Sequence, residues 1–356
     1  MTPMKRITCL AACLLALDSS HARVLADDGA TKSATQQART GTSEAEVQKQ
    51  VVAAAQVFID GLDQNLKTKV LFAFTDQEQR ARWSNLPTGI YQRRGVRLGE
   101  LKAPQREAVM AILRAALSPA GFTKIKGIMD ADEYLKLHDR APMAFGLDEF
   151  YISFVGTPST TSPWLLQFGG HHLAMNLTYA GGAEVMTPTL TAVQPATFPQ
   201  DGKTMRPLGA ENDKAFALVN ALDEGQKKQA ILGSVMRDLV LGPGEDGKSI
   251  QPEGIKASAM TAKQQSMLLE VVQEWVGIAP AAASTAKMAE IKSHLDDTWF
   301  LWSGPTDPAK PAYFRIQGPT VWIEFAPQKL GGDATQHIHT IYRDPTNDYG
   351  RKLAQP

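Results

Sequence analysis

The sequence predicts an α+β fold built from two copies of one unit, each with helices first and antiparallel strands after them. Apolar residues recur at helical spacing in the early part of each half and alternate with polar residues in the later part. Runs of helices followed by runs of strands are typical of α+β proteins with antiparallel sheet. We expect a first repeat unit at 44–200 and a second at 201–356, packed through their strands as one pseudo-symmetric body.

The internal duplication is predicted from residues that recur at fixed separations. Asp63 is matched 160 positions later by Asp223, and neighbouring residues keep a similar separation. In the strand region the separation becomes 148 positions, at which Gly170 meets Gly318 and many apolar residues coincide. Matching separations within each block rarely arise by chance, so we interpret them as a repeat.

The first unit is predicted to contain three helices, at residues 44–74, 103–117 and 123–137. Three strands are expected after them, at residues 150–155, 164–168 and 172–179. Gly169 and Gly170 separate the last two strands and are expected to form the turn between them.

The second unit repeats this order. Its helices are predicted at residues 212–240, 262–276 and 284–296. Its strands are predicted at residues 298–302, 312–317, 320–326 and 337–342. Residues 317–320 contain glycine and proline and are expected to form a turn.

Residues 1–26 have the pattern of a secretory signal peptide. Lys5 and Arg6 precede a short apolar stretch, which small residues follow. Residues 27–43 are expected to form a disordered linker. These features predict a periplasmic or secreted protein. Soluble export is favoured over a lipid anchor at Cys13 because the apolar stretch before that cysteine is short.

Composition excludes several kinds of site. Both cysteines, Cys9 and Cys13, lie in the leader, so the mature protein is predicted to have no thiol. Imidazole and carboxylate groups then remain as metal ligands. The chain has 37 basic and 37 acidic residues, a balance that gives no general attraction to nucleic acid. After the leader, no apolar run is long enough for stable membrane insertion.

Four of the seven histidines form two clusters, His171-His172 and His337-x-His339, and both clusters lie in predicted strands. Alternate residues of a strand face the same way, roughly 6 to 7 Å apart, so His337 and His339 could bind one metal ion. His172 is the better ligand of its pair because it shares its strand face with polar residues such as Asn176. Histidines that only hydrogen-bond at a sheet edge are the alternative.

The histidines do not recur between the two units, since His171 and His172 align with Pro319 and Thr320. Residues required only for folding would more often recur as similar types. We therefore expect one unit to supply each cluster to a single site. An imidazole nitrogen of the first cluster should then lie within about 5 Å of one from the second, a distance compatible with a shared ion.

Two segments resemble the signatures of a bacterial family catalogued as domain of unknown function 3500. Residues 168–176 contain the Gly-His-His motif, and residues 337–350 run from His-x-His to Arg-Asp-Pro-x-Asn-Asp-Tyr-Gly. Residues 299–304 support the resemblance, which covers residues 53–353. Members of this family are typically exported, and the resemblance implies no particular reaction.

Two acidic residues are candidates for catalytic proton transfer. Asp344 follows the strand of His339 and could complete the metal ligands or orient a histidine. The alternative for Asp344 is a turn in which it binds backbone amides, with Arg343 as an ion partner. Glu149 precedes a predicted strand and could act as the acid, although its position also suits capping.

We therefore predict an exported metal-binding protein that holds zinc or copper with its four clustered histidines. A zinc ion with an open position lowers the pKa of bound water to about 7, which favours a metal-dependent hydrolase acting on a small-molecule substrate. One alternative is a periplasmic copper- or zinc-binding protein without catalysis, with Met175 and Met186 as candidate soft ligands. Another is an interaction module without metal.

Overall fold

A computed structural model of the chain describes residues 41–139 and 143–353. The predicted leader, with Cys9 and Cys13, lies outside the described residues, as does the predicted linker up to residue 40. The regular structure of the described part consists of helices, one large sheet and a small two-stranded sheet, which confirms the α+β class. Among these residues, none of the helices combines the length and apolar character that a bilayer crossing requires.

The helices before the main strands are α1 (Glu44–Asp60), α2 (Gln64–Val70), α3 (Gln77–Arg80), α4 (Ala103–Ala116) and α5 (Pro119–His138). The single helix expected over residues 44–74 is thus divided. The division has a local cause, because α1 ends at Gly61 and the Asp63 side chain accepts a hydrogen bond from the Leu66 amide. Such an N-cap starts a new helix rather than continuing the old one.

Four further helices are described: α6 (Gly209–Ala221), α7 (Glu224–Ala230), α8 (Ala262–Val276) and α9 (Ala281–Ser293). The prediction of one helix over residues 212–240 is wrong. Asp223 caps a separate helix, and after Ala230 the chain leaves helical geometry. There the amide of Leu232 donates to the carbonyl oxygen of Trp302, so the segment attaches to the edge of the sheet instead.

The seven predicted strands are all present, each with bounds within two residues of those expected, and seven further strands were not predicted. In chain order, the strands are β1 (Leu71–Phe72), β2 (Val96–Arg97), β3 (Tyr151–Val155), β4 (Trp164–Gly170), β5 (Leu173–Ala180), β6 (Ala183–Val185), β7 (Thr189–Val193), β8 (Phe198–Gln200), β9 (Lys203–Met205), β10 (Ile255–Lys256), β11 (Trp299–Ser303), β12 (Tyr313–Gly318), β13 (Val321–Pro327) and β14 (Ile338–Arg343).

One sheet holds all of these strands except β8 and β9, which pair with each other. The order of strands across this sheet is β1-β3-β4-β5-β7-β14-β13-β12-β11-β10. In that order, each strand from β3 through β14 to β11 pairs antiparallel with the next. The parallel pairing of β1 with β3 makes the sheet mixed. The β4–β5 and β12–β13 hairpins both have two-residue loops, because Gly170 pairs with Leu173 and Gly318 with Val321. The internal duplication itself stays a prediction, and so do the unit boundaries.

The two faces of the sheet are covered differently. Helices cover one face and form the main apolar core, which contains Met175 and Tyr342. The other face buries Ala192 and Ile341 beneath Trp83 and the segment around Leu241, which lie outside the helices. His339 belongs to this second face, because it is two residues from Ile341 on β14.

Candidate metal centre

His171 and His172 form the two-residue loop of the β4–β5 hairpin. The prediction that His172 lies in a strand, with Gly169-Gly170 as the turn, is therefore wrong. Both glycines belong to β4, where a Cβ on residue 169 would lie 2.4 Å from the carbonyl oxygen of Leu173. Gly169 thus permits a close backbone approach rather than a turn.

His172 has an unusual backbone conformation, with φ at +63°. This left-handed region is uncommon for residues other than glycine and costs roughly 1 to 3 kcal/mol. The side chain is also 1% exposed, so a strained residue holds an imidazole inside the protein. Such strain is typical of sites where the direction of a side chain matters.

Strand β7 connects the two histidine clusters. The amide of Ala192 donates to the carbonyl oxygen of His172 over 2.7 Å, and Ala192 is also the register partner of His339 in β14. Neighbouring strands lie about 4.8 Å apart, so the backbones of His172 and His339 are about 10 Å apart. Side chains extending toward each other can close that gap.

Three imidazole Nε2 atoms converge at this place. The Nε2 atom of His337 lies 3.0 Å from that of His172 and 3.0 Å from that of His339. The three side chains can offer nitrogen atoms that all lie within 4.8 Å of one another. The expected distance of less than about 5 Å between the clusters is confirmed.

The hydrogen-bond partner of His337 Nδ1 shows which ring nitrogen of His337 carries the proton. His337 Nδ1 lies 2.6 Å from the carbonyl oxygen of Leu330, which can only accept a hydrogen bond. Nδ1 therefore carries the proton, and Nε2 of the neutral ring presents its lone pair to both neighbouring histidines. One lone pair can accept one hydrogen properly, so the two contacts of 3.0 Å are not both satisfied by hydrogen bonds.

Burial keeps these imidazoles neutral. Loss of solvent lowers the pKa of His337 to about 4, and the neighbouring His339 adds to the effect. Burial and the other histidines likewise place the pKa of His172 well below its ordinary value, and burial lowers the pKa of His339. Neutral imidazole is the form that binds a metal ion.

Polar groups also surround the outer edge of His339. Its Nδ1 atom lies 3.3 Å from the Asn85 side-chain nitrogen and 3.7 Å from a carboxylate oxygen of Asp238. Gln328 donates a hydrogen bond to the same oxygen of Asp238 over 2.9 Å. Of these two neighbours, the Asp238 carboxylate favours the tautomer with the proton on Nδ1, which leaves the Nε2 lone pair for a metal ion.

His171 approaches the cluster from the side of α5. Its ring stacks on His172 with centroids 3.5 Å apart, and its Nδ1 atom lies 2.6 Å from Asp132 Oδ1. Asp132 also accepts a hydrogen bond from the Gly146 amide. Asp132, His171 and His172 form a second group whose potential ligand atoms lie within 4.8 Å. All four predicted histidines are therefore brought together.

The two predicted catalytic acids lie away from this cluster. Asp344 follows the far end of β14, where it accepts hydrogen bonds from Lys287 Nζ and from the Thr346 amide and hydroxyl. This is the turn arrangement that the sequence left open, with Arg343 paired to Asp348. Residue 344 is roughly 16 Å beyond residue 339 along an extended strand.

Glu149 forms an ion pair with Arg97, with 2.5 Å between Oε1 and Nη1. It belongs to neither of the two groups of potential metal ligands found among the described residues. Met175 and Met186, the candidate soft ligands, pack in the main apolar core on the helix side. This core lies on the face of the sheet opposite to that of His339.

Sequence reasoning missed Asp132, Asn85, Asp238 and the carbonyl of Leu330. Asp132 had a detectable signal, because it lies on the buried stripe of α5 with Ile125, Ile128 and Leu135. A carboxylate on an apolar helix face needs a buried partner. The other three residues lie in loops, and no periodic pattern marks them.

A family model described as a protein of unknown function (DUF3500) matches residues 44–351. Neither the curated proteins nor the solved structures contain a match to the chain. The match covers nearly the whole described part of the chain, including both histidine clusters.

Proposed function

This chain belongs to the DUF3500 family of proteins of unknown function, and on that premise we propose that it is an exported protein that binds one divalent transition metal ion. The ligands are His172, His337 and His339, each through Nε2. His171 supports His172 by stacking and is in turn held by Asp132. Export rests on the leader pattern of residues 1–26.

One observation carries this proposal. The Nε2 atoms of three histidines converge, and His337, the central one, has its proton on Nδ1. A carbonyl fixes the proton of His337 on Nδ1, so its Nε2 lone pair faces two further imidazole nitrogens. Hydrogen bonds satisfy one of these contacts at most, whereas a cation between the rings satisfies all three lone pairs.

Two of the three nitrogen separations are close to those found around a metal ion. With metal–nitrogen bonds near 2.1 Å, tetrahedral geometry separates two ligand nitrogens by about 3.4 Å. The His172–His337 and His337–His339 separations of 3.0 Å are slightly shorter, so these rings would move apart by a few tenths of an ångström. The nitrogens of His172 and His339, which lie within 4.8 Å of each other, would adjust to the same spacing. A chain without thiols in its mature part and with three imidazoles suits zinc or copper.

Hydrolysis of a small-molecule substrate by the bound metal is the second candidate function. The number of ligands favours it, because three neutral imidazoles leave a position for water on zinc. Neither Asp344 nor Glu149 would serve as the base, since other ion pairs hold both of them. The burial of all four histidines below 10% exposure favours metal binding without turnover instead.

Metal content tests the proposal. A chelator removes bound metal from the purified full-length chain, which is then loaded with zinc or copper(II) and desalted. Inductively coupled plasma mass spectrometry measures its metal content. We expect about one ion per chain, and a much lower content for the double variant His337→Ala, His339→Ala. His138→Ala with His294→Ala is the matched control, because both histidines lie at helix ends outside the cluster.

The proposal fails if the loaded protein holds well under one ion per chain, or if the double variant retains the metal of the control. Circular dichroism of each variant establishes that it is folded. If the protein binds copper tightly but turns over no ester, amide or phosphoester substrate, metal binding stands as its function and the hydrolase activity is excluded.

A further inference from the structure

A cavity of about 330 Å³ lies on the side of the sheet opposite to His339. Residues of α9, β6 and the end of β14 line it, among them Lys287, Glu184 and Tyr342. Tyr342 is three positions from His339 on β14, so the two side chains leave opposite faces of the strand. The volume falls at the lower end of the range for small-molecule sites, about 300 to 1,000 Å³.

The wall of this cavity carries an excess of negative charge. Four carboxylates line it, from Glu44, Glu184, Glu290 and Asp344, together with Lys287. Lys287 is already neutralised, because its Nζ atom lies 2.6 Å from Asp344 and 2.7 Å from Glu290. No cation among the lining residues pairs with Glu44 or Glu184.

Two polar side chains in the cavity wall have unused hydrogen-bonding capacity. Tyr342 is 4% exposed, and its hydroxyl has no hydrogen-bond partner within the described part of the chain. Within the same residues, the Oε1 atom of Glu184 is buried and also unpartnered. Burial and the nearby Glu44 carboxylate raise the pKa of Glu184 to about 8, so this carboxyl keeps its proton at neutral pH until a cation beside it favours the charged form.

The rest of the lining is apolar. Val185, Met186, Val276, Ala279 and Ala283 contribute hydrocarbon surface beside these polar groups. A suitable ligand therefore combines a positive head with a short apolar body. Such a ligand would bury its hydrocarbon against the small side chains and supply the missing charge at Glu184.

We propose that this cavity binds an organic cation, namely a primary amine on an apolar chain. The ammonium group donates hydrogen bonds to the Glu184 carboxylate and the Tyr342 hydroxyl oxygen, while the alkyl part lies against Met186 and Ala283. This site is independent of the histidine cluster. Its ligand therefore binds whether or not a metal ion is present.

Calorimetric titration of the full-length chain tests this site with three probes of similar size: hexylamine, hexan-1-ol and hexanoate. We expect saturable binding of hexylamine and at least about tenfold weaker binding of the other two, because only the amine supplies a charge to Glu184. Glu184→Gln should weaken hexylamine binding by about tenfold or more. Glu270→Gln, which changes an exposed carboxylate of α8 outside the cavity, should leave it unchanged.

Ala283→Phe provides a second test that does not alter charge, since the larger side chain fills the cavity and should abolish hexylamine binding. The proposal is overturned if hexylamine shows no saturable binding, or if the alcohol or the acid binds as tightly. It is also overturned if folded Glu184→Gln and Ala283→Phe proteins both retain the affinity of the Glu270→Gln control.

Discussion

His172 and His337 lie 165 positions apart in the chain, yet their Nε2 atoms are 3.0 Å apart. The sheet order causes this meeting, because β7 pairs with both β5 and β14 and so brings the β4–β5 loop beside the start of β14. The pairing of β7 with β14 is secured by a 2.7 Å hydrogen bond between the hydroxyls of Thr191 and Thr340. The site therefore depends on the long-range pairing at the centre of the sheet.

Replacing His172 by alanine should weaken zinc affinity by at least about tenfold, since it removes one of three ligands. Competition with a fluorescent chelator measures the affinity. His138→Ala should behave as the unchanged chain does. Equal affinity for the two variants would exclude His172 as a ligand.

Asp132→Asn tests the support behind the ligands. The change keeps the size of the side chain but removes the charge that holds His171 Nδ1 at 2.6 Å. Changes to such supporting groups typically cost 10- to 100-fold in metal affinity, and we expect a loss of about tenfold. Asp130→Asn, on the same helix but paired with Lys126, should leave metal affinity unchanged. Similar affinities for both variants would show that Asp132 has only a structural role.

The strands were predictable from the sequence because large apolar residues alternate with small or polar ones, as they do from Leu173 to Tyr179. In the structure both faces of this strand are buried. The prediction placed the hairpin turn wrongly, because Gly169 and Gly170 have the residue type of a turn but serve close packing. His171 and His172 have no such signal. Their place in the loop follows from the register with neighbouring strands.

Long-range contacts limited the prediction of the site. Asp344 is close to His339 in sequence, but an extended strand carries it to the opposite end of β14. Asp132 is distant in sequence and reaches the cluster because α5 packs near β5 and β7. The pairing of the two histidine clusters was predictable only because their residue type is rare and clustered.

Asp344→Asn should lower stability without changing metal content. The substitution breaks the buried ion pair with Lys287, and we expect a loss of roughly 1 to 3 kcal/mol in the free energy of unfolding. Urea denaturation measures the loss, and elemental analysis measures the metal. A clear fall in the metal content of the folded variant would instead show that Asp344 takes part in metal binding.

Gly169→Ala should destabilise the protein by about 1 to 3 kcal/mol, because the added Cβ would meet the carbonyl oxygen of Leu173 at 2.4 Å. Gly233→Ala is the control, since a Cβ there has no neighbour within 4 Å among the described residues. Urea denaturation compares the two. Equal stability would mean that the β4–β5 hairpin relaxes without cost.

The metal-free protein should lose stability as the pH falls from about 6.5 toward 4. Burial lowers the pKa of His337 to about 4 in the folded state, against 6.5 for an unperturbed histidine. Between these values the unfolded chain binds the proton and the folded chain does not, so acid favours unfolding. His337 alone should account for about 3 kcal/mol across this interval, because each pKa unit corresponds to about 1.4 kcal/mol. Urea denaturation at a series of pH values should show this slope in the metal-free chain and a shallower one in His337→Phe. Identical slopes in the two proteins would mean that His337 does not titrate in this way.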